Sequence, residues 1–236
     1  MKDCEKKYEQ LKQQFHCLFQ AFDAEANHRF RVAFKKFRAC IRLYNALQPK
    51  KQLMVPKGLK QFYDAVGEIR CLQLQQETVR NLCQTLPCRF PDQYHSFLQA
   101  SEASARQRAR AIAKNLSLKK MQNEMHRVRR QKDSPEGVGN FVALKKHAML
   151  KILRAIYRSD EELHQLRKTL KDILYVWSTV APTLKEMFPK GFLTKENCIY
   201  LTEKLGAYQD LCVTLEFFEQ IDMAAIHSAG ERSVLQ

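Results

Sequence analysis

A chain of 236 residues with 45% hydrophobic content can bury a sizeable core and is too apolar to be a disordered basic tail. Its 40 Lys and Arg against 25 Asp and Glu leave a formal charge of +15, which implies an anionic partner: nucleic acid, polyphosphate or an acidic membrane surface. No segment approaches the roughly 20 apolar residues that span a bilayer, and the charged opening MKDCEKKYEQ lacks the apolar run of a secretory signal.

Seven Gly and seven Pro, mostly in a few clusters, suit an all-helical chain with few loops. Residues 4–21 carry Tyr8, Leu11, Phe15, Leu18 and Phe19 at 3–4 spacing, followed by Phe22, and predict an amphipathic leading helix in which His16 reads as a packing histidine. A second helix is predicted at about 24–47, and its two faces do not mix. His28, Arg31, Lys35, Arg38 and Arg42 fall at intervals of 3, 4, 3 and 4 along one side. Phe30, Ala33, Phe34, Phe37, Ile41 and Tyr44 recur on the other as a core stripe. Like charges so spaced repel by about 0.2–0.5 kcal/mol per close pair, a cost that an anion lying along the row would relieve.

Pro49 and Pro56 bracket a break, and a third helix is predicted at about 57–86 with Leu59, Phe62, Tyr63, Val66, Ile69, Leu72, Val79 and Leu82 inward. Gly67 falls mid-helix, where it costs about 1 kcal/mol against alanine, which points to close approach of another helix or a ligand. Lys60 and Arg70 flank it on a face that can join the basic row. After Pro87 and Pro91, one long helix is predicted at about 92–131. Its Arg106, Arg110 and Lys114 form an i, i+4, i+8 row, while Ile112, Leu116, Leu118, Met121 and Met125 point to the core. SPEGVGN, 134–140, reads as the clearest linker, placed at 134–139 between a first helical unit at 1–133 and a second at 140–228.

The second unit opens with Phe141, Leu144, Ala148, Ile152 and Ile156 on one face, Lys145 and His147 among those on others. Asp160, Glu161 and Glu162 suit a helix start, where acids favour the dipole. The helix that follows repeats the earlier basic pattern 136 residues on: His164, Arg167 and Lys171 match His28, Arg31 and Lys35, with Lys168 beside them. It is predicted to end near Pro182. A last helix, about 194–223, carries Tyr200, Leu201, Leu205, Leu211, Val213, Leu215 and Phe218 as its apolar residues, with fraying after Asp222. Gly206 lies 42 residues after His164, as Gly67 lies 39 after His28. Two markers recurring in register read as an internal duplication and a pseudo-twofold pair of bundles.

Charge is uneven between the halves. Residues 1–139 hold 27 Lys or Arg against 13 acids, net +14, and residues 140–236 hold 13 against 12, net +1.

The ordered set His28, Arg31, Val32, Lys35 and Arg38, its echo His164, Arg167, Lys168 and Lys171, and the paired glycines resemble the CHAD domain, named for its conserved histidines in an α-helical fold. The resemblance covers essentially the whole chain. It implies two helical bundles with a basic groove between them that binds inorganic polyphosphate without catalysis, in the cytoplasm and in association with polyphosphate granules. The ligand row it implies is His28, Arg31, Lys35, Arg38 and Arg42, joined by His164, Arg167, Lys168 and Lys171, with Lys60, Arg70, Arg106, Arg110 and Lys114 in support. The chain departs from the family pattern at Cys71, Asp172 and Gln209; Asp172 stands where a second base is common.

Phosphate binding suits these residue types: arginine offers a planar fork, lysine a point charge and histidine a pH-dependent donor. An RNA- or DNA-binding protein using the same surface is the alternative, but Phe30, Phe34 and Phe37 face away from the basic row, against base stacking. A phosphoesterase with an unrecognised metal site comes third. No GxxxxGK[ST], HExxH or ExExK string occurs, and Asp64 with Glu68, or Glu216, Glu219 and Asp222, read as surface carboxylates, not a two-metal cluster. Eight cysteines show no CxxC or zinc spacing and read as reduced thiols. Neither cofactor nor metal is expected.

Overall fold

A computed structural model describes residues 2–85, 92–129, 134–189 and 191–220. These form nine helices and, among the described residues, no strand: α1 (Lys2–Ala21), α2 (Ala24–Leu47), α3 (Lys57–Thr85), α4 (Asp92–Lys114), α5 (Lys119–Arg129), α6 (Pro135–Leu153), α7 (Asp160–Tyr175), α8 (Trp177–Met187) and α9 (Lys195–Gln220). The protein is all-α. It divides into two compact units that interleave along the sequence: 1–13, 32–55 and 118–212 in one, and 14–31, 56–117 and 213–236 in the other.

The α3–α4 unit is built on aromatic edges. Phe15 of α1, Phe30 of α2 and Phe62 of α3 meet with ring centroids 5.1 Å (15–62), 5.1 Å (30–62) and 6.4 Å (15–30) apart. Leu59, Val66, Ile69 and Val79 of α3 are buried, as are Tyr94, Leu98, Ala105, Ala109 and Ala113 of α4. The alanines give α4 a low surface on which a neighbouring backbone can lie close. Between α1 and α2, Phe22 takes a left-handed φ of 50° with its side chain fully buried. That conformation costs roughly 1–2 kcal/mol, and burying a phenylalanine returns a similar amount. Asp23 then caps α2 by accepting the Ala26 N–H at 2.7 Å.

The α6–α8 unit packs Val138, Phe141, Val142, Met149 and Ile152 of α6 with Leu170 and Ile173 of α7 and Val180 and Leu184 of α8. The Tyr8 ring meets Phe37 at a tilt, centroids 5.3 Å apart, and its hydroxyl donates to the Leu118 carbonyl at 2.8 Å. A Cβ at Gly137 would come within 2.8 Å of the Leu47 Cα, so only glycine lets α6 start this close to the end of α2. α7 begins with a capping box: Ser159 Oγ accepts the Glu162 N–H at 3.2 Å while the Glu162 carboxylate accepts the Ser159 N–H at 2.9 Å. The three acids at this helix start sit as their dipole preference requires.

Several expectations are corrected. The single helix at 92–131 is two, since i→i−3 bonds at Asn115 (3.2 Å) and Leu116 (3.1 Å) close α4 and Tyr8 holds the Leu118 carbonyl beyond it. Residues 134–139, expected as a linker, are instead the Ser134 cap and first turns of α6; Ser134 Oγ accepts the Gly137 N–H. The His164 helix does not end at Pro182. It breaks at Val176 (φ −117°, ψ 20°), and Pro182 lies inside α8 with its ring toward solvent. His16 and Phe19 are exposed, His16 edge-on to Phe15 at 5.7 Å. Leu144 and Ile156 are exposed as well; α6 ends at Leu153, where Arg158 caps the Ile152 and Leu153 carbonyls at 3.2 and 2.7 Å. On α9, Tyr200, Leu201, Leu211 and Leu215 face solvent, and among the described side chains the buried positions are Cys198, Thr202, Gly206 and Thr214. The fraying expected after Asp222 falls outside the described residues.

Candidate functional site

Helix α2 segregates as its sequence demands. Phe30, Phe34, Phe37, Ile41 and Tyr44 are buried, whereas His28 is exposed and Arg31, Lys35, Arg38 and Arg42 are half-buried. Half-burial of a long cation fits a stem lying on apolar surface with its charged end toward water. The Arg38 guanidinium lies over the Phe34 ring, 5.7 Å from its centroid.

Four of the candidate arginines, Arg31, Arg167, Arg42 and Arg106, differ in how they are held. Arg31 donates from Nη1 to the Tyr63 carbonyl at 3.1 Å and lies over the Tyr63 ring, 4.5 Å from its centroid. Its guanidinium rests on Gly67, where a Cβ would come within 2.5 Å of Nη1. Arg167 on α7 repeats the arrangement on α9, with Nε donating to the Thr202 carbonyl at 3.2 Å. A Cβ at Gly206 would lie 3.0 Å from Nη2 and 3.2 Å from Nε. In both cases the accepting carbonyl belongs to the residue four before the glycine. Arg42 and Arg106, by contrast, are bound by carboxylates. Arg42 Nη1 meets Asp172 Oδ1 at 2.5 Å, and Lys145 Nζ meets Asp172 Oδ2 at 2.6 Å. Arg106 makes a two-point pair with Glu102 at 2.7 and 3.1 Å; Glu102 also accepts from Gln73 and Gln76.

The α7 cluster is strained electrostatically. His164, Arg167, Lys168 and Lys171 are all half-buried within eight residues. Burial, then the Lys168 charge, push the His164 pKa below its ordinary value; Arg167 adds to this, while Glu161 and Gln209 oppose it. His164 Nδ1 is buried with no hydrogen-bond partner among the described residues. Lys171 is also pushed down, by burial first and by Arg167 second, with Glu203 opposing. Lys168 reaches Glu161 at 3.4 Å, an exposed contact of little weight. Both downward shifts state that positive charge here is held against its own preference, a condition that a bound anion would relieve.

The supporting residues are dispersed in role. Lys60 and Lys114 are exposed, Arg70 is half-buried, and Arg110 is exposed with its guanidinium over the Phe22 ring at 5.2 Å. Asp172, Lys145, Tyr63 and Thr202 were not candidates. Tyr63 and Thr202 could have been found, since each stands four residues before one of the paired glycines. Nothing in the sequence marks Lys145 as the second partner of Asp172. Among the described residues no group of three or more His, Cys, Asp or Glu could hold a metal ion, and no helix is long and apolar enough to cross a membrane.

These helices and their two matching arginine–glycine contacts describe an all-α protein with basic helix faces. The CHAD domain family model matches residues 4–219, and the chain belongs to that family. Its fold is similar to the crystal structure of the CHAD domain from the plant Ricinus communis, with a TM-score of 0.62 and 16% identity, covering 98% of this chain and 81% of that one. No curated protein matches the sequence.

Proposed function

We propose that the protein binds inorganic polyphosphate, without catalysis, through the basic faces of α2 and α7. The carrying observation is the recurrence of one arrangement. In each unit an arginine three residues after a histidine is anchored to a helix carbonyl beside a glycine, and among the described residues it pairs with no carboxylate. Family membership supports the same ligand, and the recurrence supports reading the chain as a duplication.

A linear polyphosphate carries charge on every unit and no bases, so a row of guanidinium, ammonium and imidazole groups suits it without stacking platforms. Phe30, Phe34 and Phe37 are buried in the core, which favours polyphosphate over RNA or DNA. The reading places the protein in the cytoplasm, at polyphosphate granules.

Titration of the purified protein with long-chain polyphosphate at several salt concentrations tests this. The log of the affinity should fall with log salt by about 0.7 per phosphate contact, if the single-strand value transfers. Joint Arg31→Ala and Lys35→Ala substitution should flatten the slope by roughly two contacts. A slope unchanged by that double substitution contradicts the assignment of α2.

A further inference from the structure

The glycines at 67 and 206 are unexplained by backbone conformation: neither has a positive φ, and both lie inside long helices, where each costs about 1 kcal/mol against alanine. What occupies the space of the missing side chain is in both cases a guanidinium, that of Arg31 or Arg167. The α-helix already uses the Tyr63 and Thr202 carbonyls as acceptors for the N–H four residues on, and a carbonyl oxygen has a second lone pair. A Cβ at the glycine would displace the guanidinium that reaches that lone pair.

We infer that Gly67 and Gly206 are positioning residues that seat Arg31 and Arg167 for phosphate. The inference rests on the polyphosphate reading above. A guanidinium has five N–H donors, of which the carbonyl takes one. Among the described residues neither arginine has a carboxylate partner, unlike Arg42 and Arg106, whose charge is met by Asp172 and Glu102. The remaining N–H groups keep their charge and a fixed orientation, the form of arginine that grips a phosphoryl group at two points. Seating it in advance lowers the ordering cost of binding.

The clash created by alanine falls on the far end of a flexible side chain, so the helix can keep its course while the arginine moves. Gly67→Ala should therefore hold or raise the melting temperature and weaken binding of long-chain polyphosphate about tenfold, the scale of one charge-assisted hydrogen bond. Four full-length proteins decide it: unmodified, Gly67→Ala, Arg31→Ala and the double variant, each melted and titrated at one salt concentration. Non-additivity is the expected signature, with Gly67→Ala costing affinity when Arg31 is present and nothing when it is absent. Gly206→Ala with Arg167→Ala repeats the test independently. Weak binding by Arg31→Ala with full binding by Gly67→Ala would overturn the glycine inference and leave the polyphosphate reading standing. Full binding by both Arg31→Ala and Arg167→Ala would overturn both. Loss of fold in both glycine variants would show packing residues and end the inference.

Discussion

Asp172 holds Arg42 at 2.5 Å across α7 and α2, and its second oxygen holds Lys145 of α6 at 2.6 Å. A buried carboxylate thus ties three helices of one unit. Arg42 is the last cation of the α2 row, so the same contact that joins the helices also neutralises one end of the row.

Asp172→Asn should lower stability and raise affinity together. The loss is about 2 kcal/mol, since one partner is well buried and Arg42 is 39% exposed and screened. For a chain of this size that is a fall of roughly 4–8 °C. Removing the negative charge and releasing Arg42 should tighten polyphosphate binding at low salt. Thermal melts and titrations of the same preparation check both signs, and an unchanged melting temperature contradicts the tie.

His164 sets the pH dependence. Its folded pKa lies below the ordinary 6.5, so the unfolded chain binds the proton more readily. Stability is then full above about 6.5 and is lost as pH falls through the window just below it. A bound polyanion reverses the local field and raises the same pKa, so binding takes up protons and strengthens as pH drops from about 8 toward 6. His164→Gln should flatten both profiles while retaining much of the affinity at pH 8. Calorimetry in two buffers of different ionisation enthalpy reads the uptake, and zero uptake at pH 7 in the unmodified protein contradicts this.

Lys171 should show stability and binding moving in opposite directions. Burial and Arg167, one helical turn away, both disfavour its charge. Lys171→Met removes that repulsion, gaining roughly 0.5 kcal/mol, while taking a cation from the ligand. A higher melting temperature with a salt slope reduced by about 0.7 is expected. A destabilised variant with an unchanged slope would make Lys171 a packing residue.

Legibility in the sequence followed the strength of each local signal. α2 was readable because its charged and aromatic residues keep strict 3–4 spacing: Phe30, Ala33, Phe34, Phe37, Ile41 and Tyr44, the stripe that periodicity picks out, are all buried, although Ala39, Cys40 and Leu43 beside it are buried too. The acids at 160–162 were readable because capping chemistry is local. α9 misled because its apolar and polar residues are mixed around the whole helix, so period alone cannot choose a face, and tertiary contact placed Cys198, Thr202 and Gly206 inward. The break at 115–118 carries neither Gly nor Pro and is held in part by Tyr8, 110 residues before Leu118. Pro135 and Gly137 read as breakers, yet proline is favoured in a first turn and glycine there admits Leu47. Of the cations, spacing identified the rows but not their partners. Asp172 and Glu102 reach Arg42 and Arg106 through tertiary contact or a pairing that the row pattern conceals.

Competition between polyanions tests the central claim most directly. Long-chain polyphosphate, single-stranded RNA and duplex DNA, matched in phosphate concentration, are titrated against a labelled polyphosphate complex at one fixed salt concentration. The account predicts that unlabelled polyphosphate displaces the label far more effectively than either nucleic acid, and that this preference shrinks when Arg31 and Arg167 are both replaced by alanine. Equal or better displacement by RNA or DNA would contradict it.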